Sequence, residues 1–190
     1  MELYYLRHGE TAWSLTGQHT GRSELALTAH GEEEARALGA RLRGTTFDHV
    51  FASPRLRARR TAELAGWPGA TVDPDLAEWD YGDYEGLRSA EIHAQRPAWD
   101  IYVDGCPGGE SPAQITARAD RVIARCRPLR GRVAFFSHGH FGRVLGARWI
   151  GLPLTEARHF ALGTASLSVL THDPGPPEQS VIAHWNVGSR

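Results

Sequence analysis

Residues 3–9 read Leu3-Tyr4-Tyr5-Leu6-Arg7-His8-Gly9. An apolar and aromatic run without polar alternation suits a strand covered on both faces, and this one delivers Arg7, His8 and Gly9 at its carboxyl end. Val50 to Ala52 and Val133 to Phe136 repeat the pattern, the second run ending at Ser137 and His138. Helical signals lie between these strands. From Thr28 to Leu42, Ala35, Leu38 and Leu42 follow helical spacing, with Glu32 to Glu34 early and Arg41 late. Ser53 followed by Pro54 reads as an N-cap and first helical residue, which places Arg57 about one turn into a helix. Ser111, Pro112 and Gln114 form a capping-box pattern ahead of Ile115, Ala119, Val122, Ile123 and Cys126, predicting the longest helix of the chain. After His138 a further helix runs to the stop signals Gly151 and Pro153, and Leu167 to Leu170 and Val181 to Ala183 are weaker strand signals. Asp173 to Pro177 reads as the loop between them.

Strands alternating with helices predict a three-layer α/β/α fold with a mostly parallel central sheet, and such sheets bind ligands at the carboxyl ends of their strands. His8, Arg57 and His138 all fall there. The segment from Pro68 to Gly109 lacks strong periodicity but holds Trp79, Tyr81, Tyr84, Trp99 and Tyr102, so it reads as an excursion that walls the site. One domain over 1–190 accommodates all of this. The net charge is -1 with 23% charged residues. No global field draws such a chain to nucleic acid or an anionic membrane, and any anion site must be built locally. The four apolar residues before Arg7 are too few for a signal peptide or a membrane span, which points to a cytoplasmic protein. Cys106 and Cys126 are too few for a disulfide framework and read as ordinary thiols.

A phosphoryl group in flight spreads negative charge over its oxygens, so a site without a metal needs fixed cations or donors around a nucleophile. Arg7, Arg57 and His138 are candidates at three strand ends. Neutral imidazole is a competent nucleophile, and neighbouring arginines disfavour the imidazolium, keeping His8 reactive. Gly9 removes bulk where a phosphate approaches the backbone. His138 and His140 could be read as a His-x-His metal pair, but no cysteine or carboxylate cluster completes a coordination set, so neither metal nor cofactor is expected. Arg55, Arg59 and Arg60 read as a solvated helix face.

The run Leu6-Arg7-His8-Gly9-Glu10-Thr11 with Trp13 resembles the signature of the histidine phosphatase superfamily, also called phosphoglycerate mutase-like. Thr20-Gly21, Leu27-Thr28, Gly31, Ser53 to Ala58, Glu78 with Glu85-Gly86, Gly109-Glu110-Ser111 and Ser137-His138-Gly139 match in order, from residue 3 to about 150. The resemblance implies a phosphohistidine on His8 and a phosphate pocket of Arg7, Arg57 and His138. It implies Glu78 as the acid, although Asp80, Asp83 and Glu85 lie close by in sequence. Ser14, Gln18, Thr20, Gly21, Tyr81 and Gly139 complete the implied substrate-binding set. Most members carry Asn where this chain has Ser14, and the motifs look most like the sedoheptulose-1,7-bisphosphatase branch, which shares that serine. The implied activity is hydrolysis of a small phosphate ester, a sugar phosphate or bisphosphate. Alternatives are a phosphoglycerate mutase and, in another class, a non-catalytic phosphate-binding regulatory domain. The expected partner is a small phosphorylated metabolite, without nucleic acid or membrane, and a homo-oligomer is left open.

Overall fold

A computed structural model describes residues 1–175 and 179–188. Its six strands are β1 (Glu2–Arg7), β2 (His49–Ala52), β3 (Thr71–Val72), β4 (Arg132–Ser137), β5 (Leu167–Asp173) and β6 (Gln179–Val187), in the spatial order β3-β2-β4-β1-β5-β6. The first four in that order are mutually parallel, whereas β5 and β6 are antiparallel. The expected α/β fold with a mostly parallel sheet is therefore present. Both weak strand signals mark real strands, each longer than its apolar core. Asp173 closes β5, and Pro176 and Pro177 of the expected loop lie outside the described residues.

Strand alternation feeds two separate cores, one on each face of the sheet. Leu3 and Tyr5 of β1 with Val133 and Phe135 of β4 enter the first, which also holds Ile115, Ala119, Val122 and Phe141 from helices α6 (Pro112–Cys126) and α7 (Gly139–Trp149). Leu6, Ala134 and Phe136 enter the second, with Leu38 of α2 (Ala29–Arg41) and Ala62 of α3 (Leu56–Leu64). The capping box at Ser111 and Gln114 forms, and at 15 residues α6 is the longest described helix. No helix is long and apolar enough to cross a membrane among the described residues.

Two local expectations are corrected. The helix after β2 begins at Leu56, with Arg55 as its cap, and Arg57 is its second residue. Ser53 is fully buried, and its hydroxyl accepts from Arg55 N–H at 3.3 Å just ahead of the helix while also lying 2.7 Å from His138 Nε2. The segment from Pro68 to Gly109 is not irregular throughout. It holds β3, two single 3₁₀ turns, α4 (Ser89–Gln95) and α5 (Ile101–Asp104), elements too short to imprint a period on the sequence. Its aromatic residues Trp79, Tyr81, Tyr84, Trp99 and Tyr102 are buried in the first core, as packing residues should be. Both cysteines are buried free thiols, pushed up to about 12 chiefly by desolvation.

Gly9 also has a different reason. A Cβ there would meet the Gly31 carbonyl oxygen at 2.3 Å, and one on Gly31 would meet the Glu10 carbonyl oxygen at 2.1 Å. The loop leaving β1 thus packs backbone to backbone on the first turn of α2, a contact that only a glycine pair permits. Thr28 Oγ1 caps that turn by accepting from Gly31 N–H at 3.0 Å. In an unobstructed helix Ala is favoured over Gly by roughly 1 kcal/mol. Here Gly31→Ala should instead destabilise by about 1–3 kcal/mol, the range for overpacking, and lower Tm by about 2–4 °C for each kcal/mol. Thermal unfolding measures this, and an unchanged or raised Tm would show that the contact is not close.

Candidate active site

The parallel ladder sets the site. At the carboxyl ends of β1, β2 and β4, Arg7 pairs with Ser137 and Ala52 with Phe136, and the ladder continues through His8 N–H to Ser137 O (3.0 Å) and Ser53 N–H to Phe136 O (2.9 Å). His8, Ser53 and His138 are therefore neighbours. His8 is buried, and its Nδ1 lies 2.7 Å from the Gly9 carbonyl oxygen. A carbonyl only accepts, so the proton of the neutral ring sits on Nδ1 and the lone pair on Nε2. Burial holds the His8 pKa well below its ordinary value, with Arg57 and Arg7 adding to the depression. The ring stays neutral and nucleophilic.

Arg7 donates through Nη1 to the Leu162 carbonyl, while Nε is buried without a partner. Arg57, fully buried, donates through Nη1 to Ser23 O (3.0 Å) and through Nη2 to Thr20 O (2.7 Å) and Gly21 O (3.3 Å), again with Nε unpartnered. It ties the loop 20–23 to the first turn of α3. His138 stacks edge-on to His8 with ring centroids 5.2 Å apart, and its Nδ1 has no partner. A buried polar atom left unpaired costs about 1–3 kcal/mol. Three of them on residues around one imidazole fit a site whose missing partner is an anion.

Glu78 approaches from the excursion. Its Oε1 accepts from the N–H groups of Trp79 (2.9 Å) and Phe141 (2.8 Å), and its Oε2 from His140 N–H (3.0 Å). The last two donors belong to the first turn of α7, so the carboxyl is fixed at a helix N-terminus. Its neighbours in sequence are occupied elsewhere. Asp80 pairs with Arg22 at 2.6 Å, and Glu85 accepts from the N–H groups of Gly21 and Ser23. Neither these two nor Asp83 lines the cavity that holds His8, whereas Glu78 does.

That cavity, of about 280 Å³, is walled by Arg7, His8, Ser14, Gln18, Thr20, Glu78, Tyr81 and Gly139, all expected from the sequence. Gly21, Arg57 and His138 do not line it. Gly21 faces a second cavity, behind the Glu78 segment. The Ser14 hydroxyl is engaged by its own helix cap, accepting from Thr11 N–H (2.8 Å) and donating to Thr11 O (3.0 Å). The wall also holds Gly17, His19, Ser89, His140 and Arg143, five residues outside the substrate-binding set that the resemblance implies. His140 Nδ1 lies 2.6 Å from the Tyr81 hydroxyl and His19 stacks on the Tyr81 ring at 4.7 Å. Desolvation holds His140 well below its usual pKa and lowers His19 to about 4, so both act as neutral hydrogen-bonding groups. Arg143 follows Gly139 by one helical turn, and that spacing was a readable signal. Its Nε is buried without a partner, and no carboxylate forms an ion pair with it among the described residues. His138 and His140 turn to different partners, Ser53 and Tyr81.

The family model for the histidine phosphatase superfamily (branch 1) matches residues 3–187. The chain belongs to this superfamily. An acid phosphatase of Mycobacterium tuberculosis is 44% identical, over 95% of this chain and 91% of its own length. A sedoheptulose 1,7-bisphosphatase of Saccharomyces cerevisiae is 39% identical over 77% of this chain, and the match spans 66% of the yeast protein. Among solved structures, that of an open reading frame product from Mycobacterium tuberculosis superposes with a TM-score of 0.93 at 42% identity, over 98% of this chain and 97% of the other.

The superfamily takes its name from a histidine, and in this member the depressed pKa of His8 has a direct consequence. Ring nitrogen chemical shifts should show His8 neutral, with its single proton on Nδ1, through the range around about pH 6.5 in which a free imidazole gains its second proton. A midpoint near 6.5 for His8 would contradict the electrostatic account.

Proposed function

We propose that this histidine phosphatase superfamily member is a metal-independent, cytoplasmic phosphatase that hydrolyses a small phosphate ester through a phosphohistidine on His8. The observation that carries the proposal is the neutral His8 imidazole, with its Nε2 lone pair free, in one cavity with Arg7 and Glu78, and with the buried Arg57 close enough to help depress its pKa. In the first step Nε2 attacks phosphorus in line, the ester P–O bond breaks, and Glu78 gives its proton to the departing oxygen. In the second, Glu78 as carboxylate takes a proton from water, the water oxygen bonds to phosphorus, and the P–N bond breaks to return His8. Arg7, Arg57 and His138 supply the donors that meet charge on the phosphoryl oxygens.

Phosphatase is preferred to mutase because the stretch between Glu78 and His138 is shorter than in the cofactor-dependent mutases, so less chain is available to close the site against water. Arg143 favours a bisphosphate over a monophosphate. It puts a cation with no carboxylate partner among the described residues, and with its Nε unpartnered, on the wall of the same cavity, where a second phosphate would pair with it.

Glu78→Gln should lower kcat/KM on alkyl phosphates by about 10²–10⁴, the usual weight of general acid–base catalysis. p-Nitrophenyl phosphate, whose leaving group needs no proton, should lose less than about tenfold. Equal losses would remove Glu78 from the acid role. Arg143→Met should cost roughly 10–100-fold in kcat/KM on a sugar bisphosphate and little on the matching monophosphate, as one charge-assisted contact implies. Similar losses on both would place the second anion elsewhere.

A further inference from the structure

Glu78 lies on a stretch with almost no regular structure of its own, a single 3₁₀ turn at Pro74–Leu76 being the exception. A side chain from α6 grips that stretch. Arg118 is buried, and its guanidinium spends every donor it has. Nη1 donates to the carbonyls of Asp75 (2.8 Å) and Ala77 (2.7 Å), and Nη2 to that of Glu78 (3.3 Å). The remaining N–H of Nη2 and that of Nε go to the two carboxylate oxygens of Glu110, at 2.7 and 2.9 Å. The same guanidinium sits 4.5 Å over the ring of Phe141, whose backbone N–H holds Glu78 Oε1. Arg118 is thus in contact with both things that orient the Glu78 carboxyl, its own backbone and a donor on α7.

Glu110 holds the arrangement from behind. Its bidentate pairing orients the guanidinium, and its carbonyl accepts from Trp79 Nε1 at 2.8 Å, fixing the residue after Glu78 as well. Arg118 does not line the cavity of His8 but lines the second cavity with Glu78 and Glu110, so it reaches a group bound at His8 through Glu78. We infer that Arg118, locked by Glu110, is a positioning residue for proton transfer by Glu78. This rests on Glu78 as the acid. A lysine offers three donors from a single point and cannot serve three carbonyls and a carboxylate together. A displacement of about 1 Å at a reacting group is enough to cost roughly 100-fold.

The test uses leaving groups, since loss of positioning must look like a weaker version of loss of Glu78. Arg118→Lys should lower kcat on an alkyl phosphate roughly 10–100-fold with KM nearly unchanged, and lower turnover of p-nitrophenyl phosphate by less than about threefold. In a Glu78→Gln background the same change should cost no more than about twofold, because two residues acting through one proton transfer are not additive. Glu110→Gln, which keeps the packing and loses the charge, should give the same pattern more weakly and serves if Arg118→Lys does not fold. Equal loss on both substrates, or full additivity with Glu78→Gln, overturns the inference. If Glu78→Gln alone fails to discriminate between leaving groups, it is the acid assignment that falls. If Glu78→Gln discriminates and Arg118→Lys and Glu110→Gln do not, only the positioning role falls.

Discussion

Two guanidinium groups, the fully buried Arg57 and the half-buried Arg7, stand beside a neutral imidazole with no carboxylate in ion-pair contact among the described residues. Charge placed this way is costly unless something pairs with it. Burial lowers the pKa of both arginines, and each keeps a buried Nε without a partner. The protein meets part of the cost with backbone carbonyls, from Leu162 for Arg7 and from Thr20, Gly21 and Ser23 for Arg57. The loops that offer those carbonyls are in consequence fixed around His8. On the proposed function a dianionic phosphate would supply the remainder, while burial, helped by the two cations, keeps the imidazole neutral.

Rigid local frames deliver each group to that field. Parallel pairing sets His8 against Ser137, and a backbone contact between Gly9 and Gly31 fixes the loop that follows. Glu78 comes from a segment without regular structure, and its position depends on the N–H groups of α7 and on Arg118. His8 and Glu78, the proposed nucleophile and acid, therefore rest on different supports, one on the sheet and the other on a helix start and a guanidinium clamp. Their mutual geometry is only as good as the packing of α6 and α7 on the first core.

The buried strands were legible because each is a compact apolar run, whereas the pairing of β1 with β4 is set by the fold. His8, Arg7 and Glu78 were legible through motif order, and the structure brings them to one cavity. Other features were hidden for physical reasons. Ser53 followed by Pro54 has the chemistry of a helix cap, and only the fold reveals that its hydroxyl is shared between Arg55 N–H and His138. Gly9 invited a ligand explanation when its neighbour is another glycine 22 residues on. The roles of Glu85, Glu110 and Arg118 lie in long-range contacts that no local spacing encodes. Arg143 was within reach, since it sits one turn beyond Gly139 on a helix that the sequence predicts.

A phosphoryl group on His8 is the central claim, and it is open to direct observation. Protein mixed with substrate and quenched within the first turnover should carry one phosphate that is labile in acid and stable in base, mapping to the peptide that contains His8. Nothing should be trapped in His8→Ala. Phosphate found on another side chain, or full turnover by His8→Ala, would contradict the account.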